Sequence, residues 1–326
     1  MTSLPENAPA SRFRLSEDDK PIVMAAGFIL VILAVGTAYT LYTQGTATLL
    51  SPEYLLQQLQ VGAFLGIVAA GMMLVILLGH IDLSIPWTIA AGAMMATTVG
   101  GPMAIPVGLG VGLLVGLVNG LGVAYLRIPS MIFTLGVNAV MRGLMVAHTG
   151  GFAPQTAATD LMQYFAVGKI LGIPVALLVW AAVSIAVMLL LQRTAVGKSI
   201  YAIGNKEAAA YLAGVPTKRV IVCAFCLCGM LAGLSGTLLA GYSTKAYQGM
   251  GDAYLLPAIA AVVIGGTHIL GGRGRYIGTL VGVILIVLLN SVLSIMQMPE
   301  SGRQVIYGSV IIGMLLVYGR GRQVTS

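Results

Sequence analysis

Charge is what this 326-residue chain has least of. Only 8% of its residues are Asp, Glu, Lys or Arg, where a soluble domain carries about a quarter; that shortage excludes a water-soluble globular domain. Cysteine is nearly absent too. Cys223, Cys226 and Cys228 sit in one apolar stretch, which excludes a disulfide framework and reads as small packing residues. His80, His148 and His268 are scattered, so no metal-ligand spacing arises. A nucleotide-binding loop is missing: Gly197-Lys198-Ser199 has the ending of one, but Gln192 stands where its first glycine is required. No basic patch is interleaved with aromatics, which excludes a nucleic-acid partner. Ser235 and His268 have no partner arrangement that would make an intramembrane enzyme.

What is present is hydrocarbon. Hydrophobic residues make up 58% of the chain, and the mean hydropathy is +0.96. A bilayer core takes about 20 apolar residues as helix, and lipid requires every backbone group to be satisfied internally. The continuous apolar runs lack the alternation of a barrel. The expected fold class is therefore an all-α polytopic membrane protein with about ten transmembrane helices, at 22–41, 57–78, 85–99, 103–126, 130–147, 172–191, 219–241, 255–270, 276–296 and 303–318. Several are short for a perpendicular crossing, so 79–99 in particular reads as broken or re-entrant.

The cations set the orientation. With a cytoplasmic N-terminus and ten crossings, Arg12, Arg14, Lys20, Arg127, Arg193, Lys198, Lys206, Lys218, Arg219, Arg273, Arg275, Arg320 and Arg322 lie inside. Arg142, Lys169, Lys245 and Arg303 lie outside or deep in a span. The positive-inside rule favours this arrangement, with both termini cytoplasmic. Residues 1–20 read as a disordered cytoplasmic tail, 21–320 as the membrane domain, and 321–326 as a C-terminal cytoplasmic tail. The first apolar segment reads as an uncleaved helix. Five spans precede the external 148–171 loop and five follow from the opposite side, which allows a 5+5 inverted repeat, although no internal sequence repeat is evident.

Glycine recurs every four residues at Gly108, Gly112, Gly116 and Gly120, then at Gly229 and Gly233, and at Gly278 and Gly282. That spacing puts them on one helix face, where two backbones can meet closely. The longest cytoplasmic segment, 192–218, reads as structured. Asn205 is placed to cap a helix near 206–213, Gly214 suits its left-handed end, and Pro216 prevents continuation. Small Ala residues along that helix suit either a simple connector or docking into a partner's groove.

Here the chain resembles the permeases of ATP-binding-cassette (ABC) importers, and more narrowly the simple-sugar permeases of the ribose/xylose/arabinose type. Four stretches carry the resemblance: Gly79-His80-Ile81-Asp82-Leu83-Ser84; Pro129 to Gly136 with Arg142-Gly143 and Thr149-Gly150-Gly151; Ala202-Ile203-Gly204-Asn205 through Ala208-Ala209 to Ala213-Gly214-Val215; and Gly265-Gly266-Thr267, Gly271-Gly272-Arg273-Gly274, Ile277-Gly278-Thr279 and Asn290. His80 departs from the family's glycine, Ile85-Pro86-Trp87 from its small continuation, and Tyr211 from a common arginine. The resemblance implies a type II ABC importer permease fold in a bacterial inner membrane. It implies no catalysis by this chain. The partners would be an ABC ATPase that holds ATP and Mg, a second permease copy or a related permease, and a periplasmic sugar-binding protein. Gly204, Asn205, Glu207, Ala208, Ala209 and Gly214 would form the ATPase-coupling loop.

Polar groups inside spans are costly and therefore candidates for function. Asp82 and Ser84 lie at a polar break, where they serve either as helix caps or as a gate; Pro86 fits a first helical turn. Arg142 either pairs structurally or lines a pathway. Asn119, Asn138 and Asn290 read as buried interhelical hydrogen-bonding residues or as hydroxyl-compatible lining. Permeases for nucleosides or branched-chain amino acids are the alternative, and an ion-coupled secondary transporter is a more remote one.

Overall fold

Apolar runs fold as helices because nothing else satisfies their backbones in lipid, and the helix ends fall where the sequence supplies caps. The computed structural model describes residues 20–152 and 156–320; the expected tails 1–19 and 321–326 lie outside those residues. In chain order the helices are α1 (Lys20–Gln44), α2 (Pro52–Leu77), α3 (Ile85–Val99), α4 (Ala104–Ala124), α5 (Ser130–Thr149) and α6 (Asp160–Val167). A two-residue hairpin of β1 (Lys169–Ile170) and β2 (Ile173–Pro174) follows, antiparallel with Ile170 opposite Ile173. Then come α7 (Val175–Arg193), α8 (Ala195–Asn205), α9 (Glu207–Leu212), α10 (Thr217–Ser243), α11 (Leu255–Ile264), α12 (Tyr276–Ile295) and α13 (Glu300–Arg320).

Among the described residues, seven helices are long and apolar enough to cross a membrane: α1, α2, α4, α5, α7, α10 and α12. Of the other three expected segments, 85–99 forms the shorter apolar helix α3, 255–270 is helical only as far as Ile264 (α11), since Gly265 to Leu270 turn, and 303–318 lies within α13.

The central element is α2. Its hydrophobic window is 89% buried, against 11% for α1 and for α5. Ser51 starts it, its Oγ accepting from Tyr54 N at 3.3 Å with Pro52 in the first turn. Ser235 of α10 donates to Phe64 O at 3.0 Å, and Thr279 of α12 donates to the Met73 sulfur at 3.1 Å. These bonds tie the outer helices to α2.

The glycine spacing produces one interface in particular. A side chain at Gly112 would strike the Gly229 carbonyl, and one at Gly116 the Phe225 carbonyl; Gly229 and Gly233 face Gly112 and Gly108 in return. Helices α4 and α10 thus pack backbone against backbone, the close approach that small residues permit in membranes.

Candidate functional site

The chain between α2 and α3 is not helical, and its backbone groups must find partners elsewhere. Helix α2 ends in a Schellman turn. Gly79, at φ +80°, donates to Ile76 O at 2.8 Å, and His80 N donates to Val75 O at 3.1 Å. The next donors are taken by one stripe of α5. Ile81 N donates to Ser130 Oγ at 3.3 Å, Leu83 N to Thr134 Oγ1 at 2.9 Å, and Trp87 N to Asn138 Oδ1 at 3.3 Å. Ser130, Thr134 and Asn138 are spaced by four, so they line one face of α5. Without them each amide would be an orphan in a dry interior, at about 1–3 kcal/mol apiece.

Asp82 closes the break from the other side. Its Oδ1 accepts from Ser84 N at 2.9 Å and from Ser84 Oγ at 2.6 Å. Asn119 Nδ2, from α4, reaches Ser84 Oγ at 2.7 Å and the Asp82 carboxylate at 3.2 and 3.4 Å. Asp82, Ser84 and Asn119 are all essentially inaccessible. The structure therefore brings Asn119, which the sequence placed on a separate segment, onto the Asp82–Ser84 pair. It also corrects one expectation. Ser84 occupies the cap position of α3 but makes no side-chain cap bond. Its hydroxyl is committed to Asp82 and Asn119, and Asn138 binds the Trp87 amide in its place.

The remaining polar candidates lie apart. Arg142 continues the α5 stripe one turn beyond Asn138, is exposed, and has no hydrogen-bond or ion-pair partner among the described residues. Asn290 was expected to be buried but is exposed; its Oδ1 accepts from Arg303 Nη1 at 3.1 Å, a link between α12 and α13. Ser130 and Thr134 were missed as functional residues, although their four-residue spacing with Asn138 was visible.

The 192–218 loop lies beside the break. Thr194 caps α8, its Oγ1 accepting from Gly197 N at 3.1 Å. The Gly197-Lys198-Ser199 sequence is therefore the first turn of a helix. Asn205 does not start the following helix: it is the last residue of α8, and its Nδ2 donates back to Tyr201 O at 3.0 Å. Ile200 and Ile203 are buried, and their packing carries α8 through to Asn205. Lys206, with no side-chain cap bond, precedes α9 instead. Gly214, at φ +83°, ends α9 as expected: Val215 N donates to Ala210 O and Gly214 N to Tyr211 O, both at 3.0 Å.

Three segments meet at Gly204, where a side chain would strike Leu77 O and Gly272 N. Gly272 N itself donates to Leu77 O at 2.9 Å, and Tyr201 Oη donates to Gly274 O at 2.8 Å. Loop, break and the 265–275 segment are thus fastened backbone to backbone. The outer face of α9 is left uncovered: Glu207, Ala208 and Ala209 are exposed, as are Tyr211 (68%) and Leu212 (86%). Tyr211 and Leu212 are thus two large exposed side chains on a six-residue helix.

A polytopic helix bundle with a braced helix break and an uncovered inter-helix loop is the build of a multi-pass membrane protein. Comparison with known proteins makes it specific. The family model described as "Branched-chain amino acid transport system / permease component" matches residues 54–318, and the chain belongs to this family of ABC transporter permease components. It is 39% identical over 274 residues to the ribose import permease protein RbsC of Bacillus subtilis (strain 168), which covers 82% of this chain and 85% of that one. It is 36% identical over 271 residues to the ribose import permease protein RbsC of Escherichia coli (strain K12), covering 81% and 84%. The autoinducer 2 import system permease protein LsrC of Enterobacter sp. (strain 638) is 34% identical over 269 residues, covering 79% and 76%. No solved structure matches the chain significantly.

Proposed function

We propose that this chain is the membrane-spanning permease subunit of an ATP-driven ABC importer and that it translocates a monosaccharide delivered by a periplasmic binding protein. One observation carries the reading: the chain matches ribose import permeases of two organisms over four fifths of its length at 36–39% identity.

In this reading the membrane domain crosses the bacterial inner membrane ten times with both termini cytoplasmic. The short helices α3 and α11 and the 21-residue α13 complete the crossings. The lengths of α2 and α10 (26 and 27 residues) and of α4 and α12 (21 and 20) favour a 5+5 inverted repeat, in which α3 and α11 are the paired short helices. The 192–218 loop faces the cytoplasm. Its α9 docks an ABC ATPase that holds ATP and Mg, and the Gly204–Leu77–Gly272 junction passes the ATPase's motion to the helix break. A second permease, identical or related, completes the pathway. Asp82, Ser84, Asn119, Asn138, Arg142 and Asn290 are the candidate gate or pathway residues. Sugar is held weakly here, and selectivity rests with the binding protein.

Import of a branched-chain amino acid is the second reading, favoured by the description of the family model. The test is uptake into proteoliposomes that contain the permease and its ATPase, with binding protein and labelled D-ribose or L-leucine outside. ATP-dependent ribose uptake is expected. Leucine uptake in its place would select the second reading, and uptake driven by a proton or sodium gradient without ATPase would sink both.

A further inference from the structure

A cavity of about 640 Å³ opens between the helix break and α9. Its polar groups come from four segments: His80 from the break, Arg127 from the α4–α5 turn, Ser130 from α5 and Glu207 from α9. Val123, Ile128, Met131 and Ile221 contribute apolar wall. The size lies in the ordinary range for small-molecule pockets, about 300–1,000 Å³.

The chemistry of the lining selects a neutral, hydroxyl-rich ligand. Arg127 and Glu207 bring one positive and one negative charge, so the site has no net preference for an ion. Burial holds the His80 imidazole below its usual range, with the Glu207 carboxylate pulling the other way. A neutral imidazole both donates and accepts. Ser130 Oγ accepts from Ile81 N, which leaves its hydroxyl proton unused among the described residues. Guanidinium donors, carboxylate acceptors, an imidazole and a hydroxyl above an aliphatic wall can answer a ring of alternating hydroxyls and C–H groups. Arg127 is also held at φ +55°, a conformation uncommon for a residue with a side chain and found preferentially where function demands it.

The location gives the site a consequence. A ligand bonded to His80 and Glu207 together spans the helix break and the exposed docking helix. Any motion that separates them must break those bonds, so occupancy favours the arrangement seen here and opposes the transition.

We propose that this cavity is a cytoplasm-facing monosaccharide site, where imported sugar bridges His80, Arg127 and Glu207 and slows further transport. The proposal rests on the sugar-import reading, and one assay separates the two. Proteoliposomes are made with permease and ATPase, with ATP enclosed and binding protein and labelled D-ribose outside, and some are preloaded with unlabelled D-ribose. The initial uptake rate without preload tests the import reading alone. Preloading at millimolar ribose is expected to lower that rate about fivefold, the lower end of ordinary coupling between sites, and preloading with L-leucine is expected to leave it unchanged.

Arg127→Gln and His80→Gln, made separately, are expected to retain uptake without preload and to need about tenfold more internal ribose for the same slowing. A tenfold shift corresponds to about 1.4 kcal/mol, the scale of one hydrogen bond. Robust uptake that no internal pentose or hexose slows would overturn the proposal while leaving the import reading intact. It would equally be overturned by slowing that both variants retain in full, or by slowing with leucine rather than ribose.

Discussion

The two short apolar helices, α3 and α11, make the most instructive comparison in the molecule. Each adjoins irregular backbone inside the bundle, before α3 and after α11, and such backbone is tolerated only where protein satisfies it. At α3 the work is done by side chains: Asp82 and Asn119 on one side, and Ser130, Thr134 and Asn138 on the other. At α11 the absence of side chains allows the close approach, and in the turn beyond it His268 Nδ1 accepts from Leu270 N at 3.3 Å and Tyr201 Oη donates to Gly274 O at 2.8 Å. Gly265 and Gly278 face each other, and Gly282 lies against the Ala261 carbonyl. The segment beyond turns through Gly266, Gly271, Gly272 and Gly274, all at positive φ. One break is held by acceptors, the other by room. Two segments held by different chemistry need not resemble each other in sequence.

If that contrast is right, the two breaks fail and are rescued differently. Removing the acceptor at the first break should have the largest effect. Asp82→Ala takes the acceptor from the Ser84 amide and from the Ser84 hydroxyl in a dry interior, at about 1–3 kcal/mol each, so a loss of about 4 kcal/mol is expected in the thermal unfolding of the detergent-purified chain. Asp82→Asn keeps an oxygen where Oδ1 stands and should cost only about 1 kcal/mol. Equal losses in the two variants would mean that the charge, rather than the acceptor, holds the break.

The second break should respond to volume alone. Gly278→Ala and Gly278→Ser both place a Cβ against the Gly265 carbonyl. Backbone cannot step aside as a side chain can, and overpacking of this kind costs about 1–3 kcal/mol. The two variants are expected to lose the same stability within about 0.5 kcal/mol. A clear advantage for serine in the unfolding midpoint would show that polarity matters at α11 as it does at α3, and the contrast would collapse.

Much of this was legible beforehand, and the misses share a cause. The four-residue glycine spacing marked the close-packing faces of α4 and α10 because it is a property of one helix face, while the pairing of those two faces is seen in the structure. Gly214 could be read as a helix end because the conformation it adopts is local. The Asp82–Asn119 bond could not, since 37 residues separate the partners and no spacing rule spans them. Asn205 was misread because its residue type suits a cap, whereas burial of Ile200 and Ile203 extends α8 past the point where a cap would act. Burial also reassigned Ser84, whose cap bond lost to a carboxylate two residues away and an amide on another helix. Local chemistry proposes these roles, and tertiary packing decides among them.

A smaller effect tests the brace itself. Thr134→Val preserves shape but removes the acceptor for Leu83 N. About 1 kcal/mol of stability should be lost, and amide exchange should quicken at Leu83 while the α11 segment stays protected. Exchange that quickens equally at Gly265–Gly272 would mean that the two breaks unfold as one unit rather than being held separately.

The smallest effect is expected one turn further along the same stripe, at Arg142. It is exposed and partnerless among the described residues, so Arg142→Gln should change the unfolding midpoint by no more than an ordinary surface substitution, within about 0.5 kcal/mol. Yet a guanidinium left in lipid near mid-span would cost about 2.5–3.5 kcal/mol on insertion scales, so its face of α5 must meet water or another protein surface in the membrane. The same substitution is therefore expected to lower ATP-driven uptake several-fold with stability unchanged. That split would divide the α5 stripe into a structural half, Ser130 to Asn138, and a working half beyond it. Loss of stability in step with loss of uptake would assign Arg142 to the brace, and the stripe would then be structural along its whole length.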